Sequence, residues 1–224
     1  MNLSQLTSQF LALMNRSDLT ANTALATTFI NQSLLRLQRE LRVPFMEKII
    51  RYTIPNTYDP TVGLILPSDL IELIDINVDS DYDGIIDYPL QRVTIKEAAR
   101  QSQYIDVPAV FARRGGYWVI GPQPAVGTVI EIVYYAEFAP LVSSTDTNTI
   151  SNIAWDIVVY GALSAACDYY NDERGKLFEA RYKQIGQDLQ GMADGDELTA
   201  DAAVRPALLM SNDRSNFTAN DGYW

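Results

Sequence analysis

The sequence predicts an α+β protein. N-terminal and C-terminal helices form an α-helical bundle, a small antiparallel β-sheet domain is inserted between them, and an extended C-terminal arm follows. Three observations carry this reading. From Ser151 to Met192 apolar residues return every three or four positions; from Glu47 onward strand-like alternation replaces that period; after Met192 the composition turns acidic and polar. The expected division is residues 1–46 for N-terminal helices, 47–140 for the β-rich insertion, 150–192 for the C-terminal scaffold helices and 193–224 for the arm.

At the start, Leu3, Leu6, Phe10 and Leu13 are spaced for a short amphipathic helix closed by Asn15-Arg16. Ser17 or Asp18 then opens a second helix carrying Leu25, Phe29, Ile30, Leu34, Leu37 and Leu41 inward until Pro44 ends it. Strands are expected at Ile49–Ile54, Leu70–Val78, Ile85–Val93 and Thr128–Phe138, all in one sheet. Arg114-Gly115-Gly116 reads as the turn of a hairpin between Val110–Arg113 and Tyr117–Ile120. Thr94 and Glu97 form a capping pair opening a short helix to Gln103. In the scaffold stretch, Ser151 is expected to cap the start, and Asn171-Asp172-Glu173-Arg174-Gly175 marks a break. Its first half (Gly161, Ala162, Ser164, Ala165, Ala166, Cys167) is small enough for another backbone to approach closely. Ala193–Ala203 reads as an acidic loop.

Composition narrows the function. With 224 residues and 47% apolar content, the chain can bury a sizeable core. It has no histidine, and so lacks the usual general base, proton shuttle and metal ligand. The single cysteine, Cys167, sits among alanines and reads as a small buried hydrophobe. No Gly-rich phosphate loop or nucleophile elbow occurs, so no catalytic residue, cofactor or metal is assigned, and an enzyme is not expected. The N-terminus lacks a signal-peptide pattern, and the most apolar window, Ile150–Cys167, is interrupted by Asp156, so a soluble protein with no membrane partner is expected. The net charge of −11 is uneven: residues 1–58 carry +3, residues 59–150 carry −8 and residues 151–224 carry −6. Such a chain gains no counterion-release affinity for DNA, although an acidic wall suits a conduit that must not hold it.

Three local patterns remain. Asp79-Ser80-Asp81-Tyr82-Asp83-Gly84-Ile85-Ile86-Asp87 resembles the front of a Ca²⁺ loop, but position twelve is Leu90 where a bidentate Glu belongs. Without that ligand the stretch reads as a hairpin whose Asp83-Gly84 supplies the turn and whose tip carries solvated aspartates. Arg36, Arg39 and Arg42 form a stripe at i, i+3, i+6, either a solvated helix face or a surface for an acidic protein partner. The last thirty residues are either a disordered tail or an arm that orders on a partner through Pro206, Leu208, Leu209, Met210, Phe217, Tyr223 and Trp224.

The order of several segments resembles the head-to-tail adaptor (connector) proteins of tailed bacteriophages. The likeness rests on Ser17-Asp18-Leu19-Thr20, Phe29-Ile30-Asn31-Gln32 and Leu37-Gln38-Arg39-Glu40-Leu41 at the helical opening. Leu66-Pro67-Ser68-Asp69-Leu70-Ile71-Glu72-Leu73, Tyr88-Pro89-Leu90 and Tyr117-Trp118-Val119-Ile120-Gly121-Pro122-Gln123-Pro124 follow. Glu131-Ile132-Val133-Tyr134-Tyr135, Tyr160-Gly161-Ala162-Leu163, Asn171-Asp172-Glu173-Arg174 and Ala180-Arg181-Tyr182 complete it, over roughly residues 1–190. The resemblance implies a non-enzymatic virion protein at the neck, made in the host cytoplasm and forming a ring of twelve copies beneath the portal. One side would hold the portal protein and the other would receive tail components such as a nozzle or tail terminator, with DNA passing through the lumen. Two alternatives stay open: another neck or tail-completion component, and a Ca²⁺-dependent binding module with Asp79, Asp81, Asp83 and Asp87 as ligands.

Overall fold

The computed structural model describes the backbone of residues 1–20, 22–79 and 84–212, with side chains through Gly195 except that of Thr20. It divides into two compact units. One comprises Met1–Pro44, Leu141–Thr147 and the described residues from Ser151 on; the other comprises Phe45–Pro140 and Asn148–Ile150.

The first unit is helical. Helix α1 (Leu3–Met14) opens on a reciprocal cap: Asn2 accepts from the Gln5 amide at 2.9 Å while the Gln5 side chain accepts from the Asn2 amide at 3.0 Å. It closes on Asn15 in the left-handed region, φ 52°. The single helix expected from Ser17 or Asp18 to Pro44 is instead a one-turn α2 (Ser17–Thr20) and a separate α3 (Thr23–Glu40). Asn22 explains the restart, because its side chain accepts from the Leu25 amide at 3.2 Å and so caps a new helix. The early stop also has a cause: the Gln190 side chain accepts from the Arg42 amide at 3.0 Å and donates to the Arg42 carbonyl at 2.9 Å. That pairing holds the chain extended before Pro44 is reached.

Helix α6 (Trp155–Tyr170) and helix α7 (Gly175–Asn212) are separated at the predicted break, where Asn171 takes φ 53°. Ser151 does not cap α6. It lies inside the short α5 (Thr149–Ile153), and Ala154 precedes α6 without a side-chain cap. The small residues of α6 have the expected use: a Cβ on Gly161 would fall onto the Ser33 hydroxyl of α3 and within 3.1 Å of the Tyr182 ring of α7. Three helices therefore meet at this point, around a core that includes Leu6, Phe10, Ile30, Leu37, Ile157, Leu163 and Tyr182. Cys167 is buried, and burial pushes its thiol pKa up. The acidic loop expected at Ala193–Ala203 is helical, as α7 continues to Asn212. Ala200, Ala202, Ala203, Ala207, Leu208 and Leu209 are strong helix formers, and they outweigh the loop signal of the aspartates and Gly195.

The second unit holds two four-stranded sheets where one was expected. The first has the order β1 (Glu47–Thr53), β8 (Val129–Ala136), β3 (Leu70–Asp79), β4 (Tyr88–Pro89). The second has the order β2 (Leu64–Ile65), β7 (Tyr117–Gly121), β6 (Val110–Arg114), β5 (Gln91–Arg92). The expected strand Ile85–Val93 is the reason for the difference. Tyr88–Pro89 joins β3, and two residues later Gln91–Arg92 joins β6 in parallel, so the segment crosses from one sheet to the other. Pro89 has no amide hydrogen to give and sits on an edge strand. The facing sheets bury Ile76, Val78, Phe111, Trp118, Ile120, Ile130 and Ile132. Helix α4 (Ile95–Gln101) covers the other side of β6 and β7 with Ala98 against Ala112 and Val119. Only half of its predicted capping pair forms: Thr94 accepts from the Glu97 amide, while the Glu97 carboxylate accepts from Arg100 and Gln101. The hairpin turn is as expected, with Gly115 at φ 61°.

Candidate functional site

Among the described residues the densest polar cluster is the one that seats α7. Arg36 on α3 donates to both carboxylate oxygens of Glu179 on α7, each at 2.8 Å, and its Nε donates to Glu40 at 2.9 Å. Its guanidinium lies 4.1 Å from the centre of the Tyr182 ring, and the Tyr182 hydroxyl donates to Glu40 at 2.7 Å. From α6, Ser164 donates to Glu179 at 2.9 Å; within α7, Lys183 Nζ lies 3.3 Å from it. The Arg36 hydrogen bonds hold the Glu179 carboxyl down at about 2 against the opposing effect of its burial. Burial, then the Glu40 carboxylate, raises the Tyr182 pKa, so the phenol stays a donor. One turn further, Leu41 and Ile157 pack near Gly186, and a cleft of about 380 Å³ opens beside Glu40, Tyr182 and Gln190. The Gln190–Arg42 pairing and buried Ala193 follow. Beyond Ala193 the helical backbone continues to Asn212.

The expected basic stripe is divided by this arrangement. Arg36 is engaged by Glu179 and Glu40. Arg42 lies past the end of α3 and folds back, donating to the carbonyls of Gln38 at 3.0 Å and Leu41 at 2.7 Å. Arg39 is exposed. Of the arm residues, Pro206, Leu208, Leu209 and Met210 fall on the helical backbone of α7, while Phe217, Tyr223 and Trp224 lie outside the described residues. Of the aspartate loop, Asp81 and Asp83 lie outside them too; Asp79 is buried and accepts from the Gly84 amide at 3.1 Å. No group of three metal-ligating side chains occurs among the described residues. None of their helices is long and apolar enough to cross a membrane.

Sequence reasoning missed Glu179, Glu40, Tyr182 and Gln190. The signals were partial: Arg36–Glu40 and Glu179–Lys183 are visible i, i+4 pairs. Nothing local says that residues 143 apart, Arg36 and Glu179, share one bidentate bridge.

The described geometry is a helical unit that seats one long helix by charge-assisted bonds, joined in the chain to a two-sheet unit. Comparison with known proteins is specific: the family model described as SU10 adaptor protein matches residues 1–207. The chain belongs to that family, a family of phage head-to-tail adaptors, which places it among virion proteins of structural role. No curated protein matches the chain.

Proposed function

We propose that the chain is a ring-forming connector of twelve copies that docks under the portal protein and joins capsid to tail. Tail components such as a nozzle or terminator bind its other side, and DNA crosses the lumen during ejection without specific binding. The observation that carries this reading is α7. Its first half is fixed to α3 and α6 through Glu179 and Tyr182 and to Arg42 through Gln190, and its backbone stays helical for 19 residues beyond Ala193, the last buried residue of the described side chains. A rigidly seated base of this kind suits a segment that reaches a neighbouring protein. In that segment, Pro206, Leu208, Leu209 and Met210, followed by Phe217, Tyr223 and Trp224, supply the apolar and aromatic anchors for the portal. Exposed Arg39 is the member of the arginine stripe best placed for an acidic partner. The net charge of −11 supports a channel wall that repels DNA.

Removal of residues 196–224 tests the arm. The shortened chain keeps every contact described above as seating α7, so it is expected to fold and to lose portal binding. Portal binding of unchanged affinity by the shortened chain would remove the arm from the account.

A further inference from the structure

We infer that two free copies of the chain pair through their β1 strands, antiparallel about Ile49, to form a dimer. Strand β1 is the outer strand of its sheet. Each residue from Glu47 to Thr53 is paired with β8 on one side, and no other described strand lies on the other. The free side is open, since Glu47, Lys48, Ile49, Arg51 and Thr53 are all exposed. Ile54 donates its amide hydrogen to Thr128. Main-chain direction alternates along an antiparallel strand, so Ile50 and Tyr52 also turn toward β8, while Glu47, Ile49 and Arg51 turn their amide and carbonyl groups outward. A strand edge with these groups unpaired is a template for another strand.

The side chains select the occupant. With Ile49 opposite Ile49 of a second copy, Glu47 of each copy falls opposite Arg51 of the other. Glu47, Ile49 and Arg51 then each meet an outward-facing residue, while Thr53 falls beyond the end of the partner strand. Opposite charges placed directly across a strand pair are favourable and like charges are not. Centring the pair on Arg51 would set two arginines against each other, and centring it on Ile50 would put Ile49 opposite Arg51 and leave Glu47 facing Thr53. Only the Ile49 register joins both charge pairs. It also covers Ile49, a 60% exposed isoleucine beside Val133 of β8. Arg51 keeps its Nε bond to Glu131 at 2.8 Å and, being 52% exposed, still reaches a second carboxylate. The two-fold axis stands perpendicular to the sheet, so two four-stranded sheets become one of eight strands with their faces aligned. Such an isologous contact closes at two copies, whereas a ring needs head-to-tail contacts. The dimer is therefore a state of the free chain, and it does not depend on the adaptor reading.

Sedimentation equilibrium of the full chain over micromolar concentrations is expected to show a mass rising toward twice 25.1 kDa. Ile49→Lys and Glu47→Lys, both at exposed sites, are expected to hold the mass at one chain while circular dichroism stays unchanged. Cross-linking checks the register. Cα atoms of a hydrogen-bonded antiparallel pair lie about 5.5 Å apart, within disulfide range. Ile49→Cys is therefore expected to give a covalent dimer on mild oxidation, and Thr53→Cys is not; the native Cys167 is buried. A chain that stays monomeric throughout, a dimer indifferent to Ile49→Lys, or equal cross-linking at both positions would overturn the inference.

Discussion

At the scale of single residues, the Arg36–Glu179 bridge decides how α7 is held. Both side chains are partly exposed, at 28% and 26%, so solvent screens part of their attraction. Glu179→Gln leaves Arg36 half-buried without its bidentate partner, and a loss of about 2 kcal/mol in unfolding free energy is expected by chemical denaturation. The same bridge sets an acid limit. The folded Glu179 pKa lies below its ordinary value of 4.5, at about 2, so its stabilisation is full above pH 4.5 and is lost as pH falls toward 2. Thermal melts across this window are expected to fall more steeply for the native chain than for Glu179→Gln. Parallel curves would show that the bridge does not carry the acid response. The residues of this cluster were individually plain in the sequence, but their convergence was not, because it depends on how α3, α6 and α7 come together at Gly161 rather than on any local spacing.

At the scale of elements, the close approach of α3, α6 and α7 rests on the absence of a side chain at Gly161. Gly161→Ala drives a methyl group onto the Ser33 hydroxyl and against the Tyr182 ring, and a loss of about 1–3 kcal/mol is expected from overpacking. Ser33→Ala in the same chain removes the nearer obstacle and is expected to restore part of that loss. Additive losses in the double variant would mean that the two sites do not touch. Helix periods were legible where an amphipathic helix buries one face: Phe10, Ile30, Val158 and Tyr182 face the core as their spacing requires, whereas Leu13 and Met192, spaced with them, are exposed. The restart of α3 at Thr23 was not, since Asn22 in the middle of a periodic run looks like any polar surface residue until its side chain is seen on the Leu25 amide. The second sheet was equally hidden. The alternation of Ile85–Val93 gives no sign that Tyr88–Pro89 and Gln91–Arg92 belong to different sheets, which is settled by partners far along the chain.

At the scale of the whole molecule, the chain belongs to a phage adaptor family, and its net charge of −11 over 224 residues gains no counterion-release affinity for DNA. No retardation of duplex DNA is expected at physiological salt, whereas tight binding with a steep salt dependence would contradict the proposed channel wall. The order of short segments along residues 1–190 was enough to suggest the adaptor class from sequence, although no single motif among them is diagnostic. The helical continuation to Asn212 was not foreseen, and it changes how the proposed arm begins, as an extension of a seated helix rather than as a loose strand. The most direct measurement is electron microscopy of the purified chain mixed with its portal. The account predicts a twelve-fold ring of added density beneath the portal, with α7 directed into it. A portal ring left bare by an excess of folded chain would contradict it.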